Sequence, residues 1–357
     1  MDPVSQPPRR LTELDALRGL AILAIALFHY TAKYDGMLGH TPGLWFTCRW
    51  GGNFGNDLFL VISGFVIYES VLRAESPLHF AVARVSRLYP VFWVAVAMTF
   101  TVTTIWTLPG RQVTLKQALI NLTMVHSWLS VPGVDGVYWF LTVMLSFYLL
   151  ATLVIAFRLQ PHVEMAAAIW LVAQLATLAY LKFGGPAFTG LGMWQKHIII
   201  KYSHILIAGI MLAAIHRGRR VNFCVGVLFA AILTAGWRAG VPSAFTLAVV
   251  CAIVYCATRK LLAVINVRPL LFLGTISYSL FLIHQNIGYV FIRELEERQV
   301  NASVAVLLVL AGAITVASAI TFWWEKPAQE FVRAKAKKLL SPRPPSAPQN
   351  LPPPARD

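Results

Sequence analysis

The sequence predicts an all-α, polytopic membrane protein of about ten transmembrane helices with both termini in the cytoplasm. Three observations carry this expectation. Of 357 residues, 57% are hydrophobic and only 13% charged, where soluble domains carry about 25% charged residues. Apolar runs near the ~20-residue length that crosses a bilayer core recur along the whole chain. Lysine and arginine crowd into alternate loops, as the positive-inside bias requires. The net charge of +15 therefore does not point to nucleic acid, because it lies in short runs between apolar segments. The expected partner surface is the lipid bilayer, at the cell inner (plasma) membrane.

The first span reads as Leu14–Thr31. Arg9 and Arg10 precede it as they would a cleavable leader, but Asp15, Arg18 and His29 interrupt it and many spans follow, so it is expected to be retained. Gly55–Leu72 and Pro90–Leu108 come next, the latter opened by Pro90 at its first helical position. The loop Pro109–Gly136 is the longest, and its semi-apolar middle, Leu115–Leu129, suits an interface or a shallow dip into the protein. Val137–Phe157 and Glu164–Phe183 follow. Ile198–Ile215 and Val221–Gly236 are joined by the basic turn His216–Arg220, and Val241–Thr258, Leu270–Phe291 and Ala302–Trp323 complete the series. With the N-terminus inside, the inner loops and tail hold Arg73, Arg84, Arg87, Arg158, Arg217, Arg219, Arg220, Arg259, Lys260 and Arg268, while the outer loops include the acids Glu294, Glu296 and Glu297. The domain plan is a disordered segment 1–10, a transmembrane domain 11–330 and a basic, proline-rich cytoplasmic tail 331–357. The cysteines Cys48, Cys224, Cys251 and Cys256 form no CxxC pair and read as small buried hydrophobes.

Ionisable side chains at membrane depth are costly and so point to function. Arg18 and His29 lie 11 residues apart. At 3.6 residues per turn that is about three turns, so both fall on one stripe, about 16 Å apart along the axis. Asp15, one turn before Arg18, is within ion-pair reach. The alternative is that Asp15 and Arg18 anchor the helix at the interface and His29 caps its outer end. Asp57 follows a glycine-rich start, Gly51-Gly52-Asn53-Phe54-Gly55-Asn56, where the helix dipole favours a carboxylate. Arg84 and Arg87 are one turn apart and suit bidentate phosphate binding, or supply ordinary inside charge. His284 is an intramembrane imidazole within Ile276–His284, and Glu325 ends the last span.

Taken in order, these motifs resemble those of the membrane acyltransferase-3 family. Leu14-Asp15-Ala16-Leu17-Arg18-Gly19 with His29 is similar to its opening motif, and Asn56–Phe65 to its second-helix signature. Arg84-x-x-Arg87-Leu88-Tyr89-Pro90 resembles its loop motif, Ser277-Tyr278-Ser279-x-Phe281-x-x-His284 its late-helix motif and Glu325-Lys326-Pro327 its closing one. The likeness runs from about residue 11 to residue 330. One departure is Met144, where the family often has a glutamate after its tryptophan segment, here Trp139-Phe140-Leu141.

The resemblance implies O-acyl transfer, usually of acetyl, from acyl-CoA to a sugar hydroxyl of an exopolysaccharide, lipopolysaccharide or other glycan. A smaller branch of the family acylates macrolides. No metal or bound prosthetic group is implied; acyl-CoA is the donor substrate. An imidazole titrating near neutral pH suits deprotonation of a hydroxyl. His29 is thus expected as general base or as a transient acyl carrier, with Arg18 and Asp57 as catalytic partners. Arg84, Arg87, Tyr89, Ser277, Tyr278, His284 and Glu325 are the expected donor- and substrate-binding residues. Two other classes stay open: a transporter or flippase for a lipid-linked glycan, with the polar stripe as its conduit, and a structural or sensor protein, with the stripe as packing glue.

Overall fold

The computed structural model describes residues 11–183 and 201–340. The expected disordered segments 1–10 and 341–357, and the first residues of the sixth expected span, lie outside them. All regular structure among the described residues is helical. The helices are α1 (Thr12–Phe28), α2 (Gly51–Leu72), α3 (Pro77–Ile105), α4 (Leu115–Asn121), α5 (Trp139–Ala156), α6 (Val163–Lys182), α7 (Ser203–His216), α8 (Val221–Ala239), α9 (Val241–Thr258), α10 (Arg268–Ile283), α11 (Gln285–Glu297), α12 (Ala302–Ile320) and α13 (Lys326–Leu340). Eight helical stretches are long and apolar enough to cross a membrane, or nine if the bent α10–α11 pair counts as one. The protein is therefore multi-pass.

Helix α7 is the shaft of the bundle. Every residue from Ser203 to Ile215 is buried, which an all-round apolar helix achieves only inside other helices. It meets α2 where Gly64 and Gly209 face one another, so that a Cβ on either would strike the other helix's backbone at Leu206 O or Val61 O. Helices α1 and α10 cross the same way through Gly19 and Gly274, against Leu270 O and Asp15 O. Small residues permit this close approach, which supplies packing where lipid offers no hydrophobic drive.

Four expected boundaries are corrected. Pro90 does not open the third span but lies inside α3, which starts at Pro77. The Ser76 hydroxyl accepts from the His79 amide at 3.1 Å and Pro77 occupies the first turn, a complete start signal that precedes Pro90. Arg84 and Arg87 consequently sit on a helix, not in a loop. The ninth span is not continuous, because α10 and α11 meet at His284 with a 76° bend. The sixth is 14 residues among those described, about 21 Å at 1.5 Å per residue, and falls short of a ~30 Å core. Finally, Glu325 does not end a helix. The π-helical turn Thr321–Glu325 leads straight into α13, which runs to Leu340 and so through the first part of the expected tail.

The bundle has two chemically distinct ends. At the basic end Arg217 grips Glu69 with two 2.6 Å bonds, Arg73 joins at 3.7 Å, and Arg219 meets buried Glu164 at 2.8 Å. At the opposite end α11 is tied to the loops: Glu296 accepts from His40 at 2.6 Å, and Arg293 donates to the Trp106 and Thr107 carbonyls.

Candidate active site

Helix α1 gives way at His29 to a π-helical turn, His29–Lys33. Such a turn re-aims side chains relative to a continuous α-helix and recurs at functional sites. It turns His29 onto the corner between α10 and α11, where His284 sits. The two rings lie with centroids 5.0 Å apart, and His29 Nδ1 is 3.0 Å from His284 Nε2. His29 Nδ1 also lies 3.0 Å from the Ile25 carbonyl, and His284 Nδ1 lies 2.9 Å from that of Phe281. Carbonyls only accept, so both Nδ1 atoms carry the proton. His29 Nδ1–H is then shared between Ile25 O and His284 Nε2. This leaves the lone pair on His29 Nε2, the atom able to take a proton.

The corner that holds His284 is braced from outside. Asp135, buried in the loop before α5, accepts from the amides of Asn286 at 2.9 Å and Val137 at 3.1 Å. The Asn286 side chain donates to Val134 O at 2.9 Å. Burial pushes the Asp135 carboxyl from its ordinary 3.8 up to about 6, opposed by those backbone amides and by the Arg111 guanidinium. The folded protein therefore binds this proton more tightly than the unfolded chain does. The resulting stabilisation is full below pH 3.8 and is lost as pH rises through 6. Asp135→Asn should abolish this dependence. Melting temperature in detergent, measured from about pH 4 to 7, should fall with rising pH in the native protein relative to the variant. Parallel profiles would remove Asp135 as the titrating brace.

Arg18 points into a cavity of about 90 Å³ that Arg84, Arg87, Tyr148, Ser277 and Tyr278 also line, with no carboxylate among the lining residues. Arg18 is 3.7 Å from Asp15. The Arg84 guanidinium lies over the Phe80 and Tyr148 rings at 5.0 and 5.6 Å. Tyr278 donates to Leu88 O at 2.7 Å, and Ser277 donates to Gly274 O at 2.9 Å. Met144, the departure from the family pattern, is one of the walls. Arg18 also borders a second recess of about 400 Å³ toward the basic end, shared with Asp15, Glu69, Arg73, His216 and Arg217.

An aromatic cluster on the wall of the arginine cavity reaches His284 through Phe281. Phe59, Phe140 and Phe281 form a triangle with centroids 5.1–6.3 Å apart, and Phe281 lies 5.9 Å from His284. All three line the arginine cavity.

The other expected site residues fall elsewhere. Tyr89 does not line the cavity; its hydroxyl donates to Thr123 O at 3.0 Å and its ring packs on Trp93, so it braces the loop after α4. Glu325 accepts from Ser279 at 3.0 Å and from Gln329 at 3.0 Å, beneath α10 and within electrostatic reach of Arg87. It holds the α10–α12 contact. Asp57 is set apart from Arg18 and the arginine cavity, in a third cavity with Arg238. Sequence reasoning missed Asp135, Tyr148 and Arg238. Only Asp135 carried a local signal, an acid between Gly133 and Gly136 at a helix approach.

A multi-pass helical bundle that buries a histidine pair beside a three-arginine cavity has the parts of a membrane-embedded transferase. Residues 11–324 match the acyltransferase-3 family, described as an acyltransferase domain, and the chain belongs to that family. It is 28% identical to acyltransferase MdmB of Streptomyces mycarofaciens over 273 residues, 71% of this chain and 65% of that protein. The chain thus matches less than two thirds of that relative's length. No solved structure matches it.

Proposed function

We propose that the protein is an O-acyltransferase of the inner membrane that moves an acyl group, acetyl foremost, from acyl-CoA to a sugar hydroxyl. One observation carries this reading: α1 presents Arg18 to a carboxylate-free arginine cavity and, three turns on, His29 with a lone pair on Nε2. Both termini lie in the cytoplasm, which puts the basic end on the cytosolic side. The donor enters the recess beside Arg73 and Arg217 and passes Arg18. The inner cavity has room for only a handful of waters, so it takes a phosphate or the thioester arm while the nucleotide stays in the recess. Arg84 and Arg87 hold donor phosphate through charge-assisted bonds.

In the transfer, His29 Nε2 takes the acceptor hydroxyl proton as the oxygen attacks the thioester carbonyl. An O–C bond forms, the C–S bond breaks, and the proton passes to the departing CoA thiolate. The acceptor is a glycan or glycolipid hydroxyl; a small glycosylated metabolite such as a macrolide is the second substrate class. Purified protein with radiolabelled acetyl-CoA and both acceptor classes should yield labelled ester and free CoA. If no donor is consumed while a lipid-linked glycan crosses vesicle membranes, the protein is a transporter instead.

A further inference from the structure

We propose that the cavity holding Asp57 is the acceptor site and that its ligand is an amphiphilic glycoside, sugar inward and apolar portion toward the bundle surface. The inference rests on the acyl-transfer reading for its consequence but not for its binding claim. The cavity measures about 880 Å³, far larger than the arginine cavity, and lies between the start of α2 and the junction of α8 with α9. One wall is aromatic: Trp139 and Tyr202 stack on one another with centroids 4.7 Å and planes 19° apart. Lys201 lies 5.2 Å over the Tyr202 ring, so the outer face of Trp139 is the one left for a ligand. Flat aromatic faces pack against the C–H faces of sugar rings, and Trp and Tyr provide large, rigid contact area.

Asn53, Asn56 and Asp57 also line the cavity. Amide side chains offer paired donors and acceptors, and a carboxylate offers acceptors, the complement of neighbouring hydroxyls. Arg238 also lines it, within electrostatic reach of Asp57, and its Nε is buried with no hydrogen-bond partner among the described residues. A buried donor left unpaired is costly unless a ligand or water meets it. The rim changes character: Val241 and Phe245 are 79% and 69% exposed at the bundle perimeter. A polar floor under an apolar rim facing lipid selects a molecule with both parts. Trp139 also packs on Phe140 at 5.8 Å, and Phe140 lines the arginine cavity, so neighbouring residues of α5 line the two cavities.

The test uses the full chain in lipid nanodiscs and a diazirine-bearing octyl glucoside. Cross-links should map to residues 50–57, 201–205 and 238–249, and Trp139→Ala should lower their yield at least tenfold. Asp57→Asn should raise the acceptor KM about tenfold in the transfer assay. The KM for acetyl-CoA should hold in both variants. Octyl glucoside labelling should be competed by a polyprenyl-phosphate sugar in vesicles or by a soluble macrolide glycoside, the competitor naming the source of the acceptor; competition by neither overturns the proposal. So does labelling spread evenly over the lipid-facing helices, or a donor defect with an unchanged acceptor KM. Mapped, competed labelling without transfer to any acceptor would uphold the cavity and sink the acyl-transfer reading.

Discussion

Replacing His29 by alanine should lower kcat by a factor on the order of 10²–10⁴, the usual worth of a positioned general base. The side chain is buried at the π-helical turn, and its removal deletes only an imidazole held by Ile25 O and His284. Melting temperature should therefore change little compared with turnover. His284→Ala should cost less, because Ile25 O still fixes the His29 tautomer once the neighbouring ring is gone. The measurement is labelled ester formed per minute with saturating acetyl-CoA and acceptor. Intact-protein mass spectrometry after donor alone should show no added acyl group, which separates a base from a covalent carrier. Native turnover in His29→Ala would place the base elsewhere.

The 11-residue spacing placed His29 about three turns beyond Arg18, but the π-helical turn that begins at His29 and re-aims it was not legible. His284 was legible as an intramembrane imidazole, but not as the partner of His29. The two are 255 residues apart, and the Gly19–Gly274 crossing and the seat of Tyr30 on Gly288 bring their segments together. The Pro90 boundary failed for a local reason. Two proline start signals compete there, and only the earlier one has a side-chain cap. Tyr89 was grouped with its neighbours by motif, yet successive helical residues point about 100° apart, so Leu88 meets the cavity and Tyr89 meets Thr123. Asp57 was read from its place near a helix start. Beyond its own neighbours on α2, its cavity is built by α5, α8, α9 and the start of α7, none of which lies near it in sequence. What failed was tertiary: which polar groups share a space depends on crossings that no local pattern encodes.

Exchanging both Arg84 and Arg87 for glutamine should raise the KM for acetyl-CoA by a factor on the order of 10²–10³. A hydrogen bond to a charged group contributes about 1.5–3 kcal/mol, and about 1.4 kcal/mol is a factor of ten in an equilibrium constant. The two guanidiniums share one cavity with Arg18, so their effects should not be additive. Lysine at both positions should recover part of the loss, since it keeps the charge but not the planar fork. Arg87 also lies within electrostatic reach of Glu325, which makes the single Arg84→Gln variant the cleaner probe of donor binding. Its donor KM should rise while the acceptor KM holds, and the effect should shrink at high salt as screening weakens the native protein's own grip. If kcat falls instead and the donor KM is unmoved, these arginines stabilise charge during transfer and do not hold the donor.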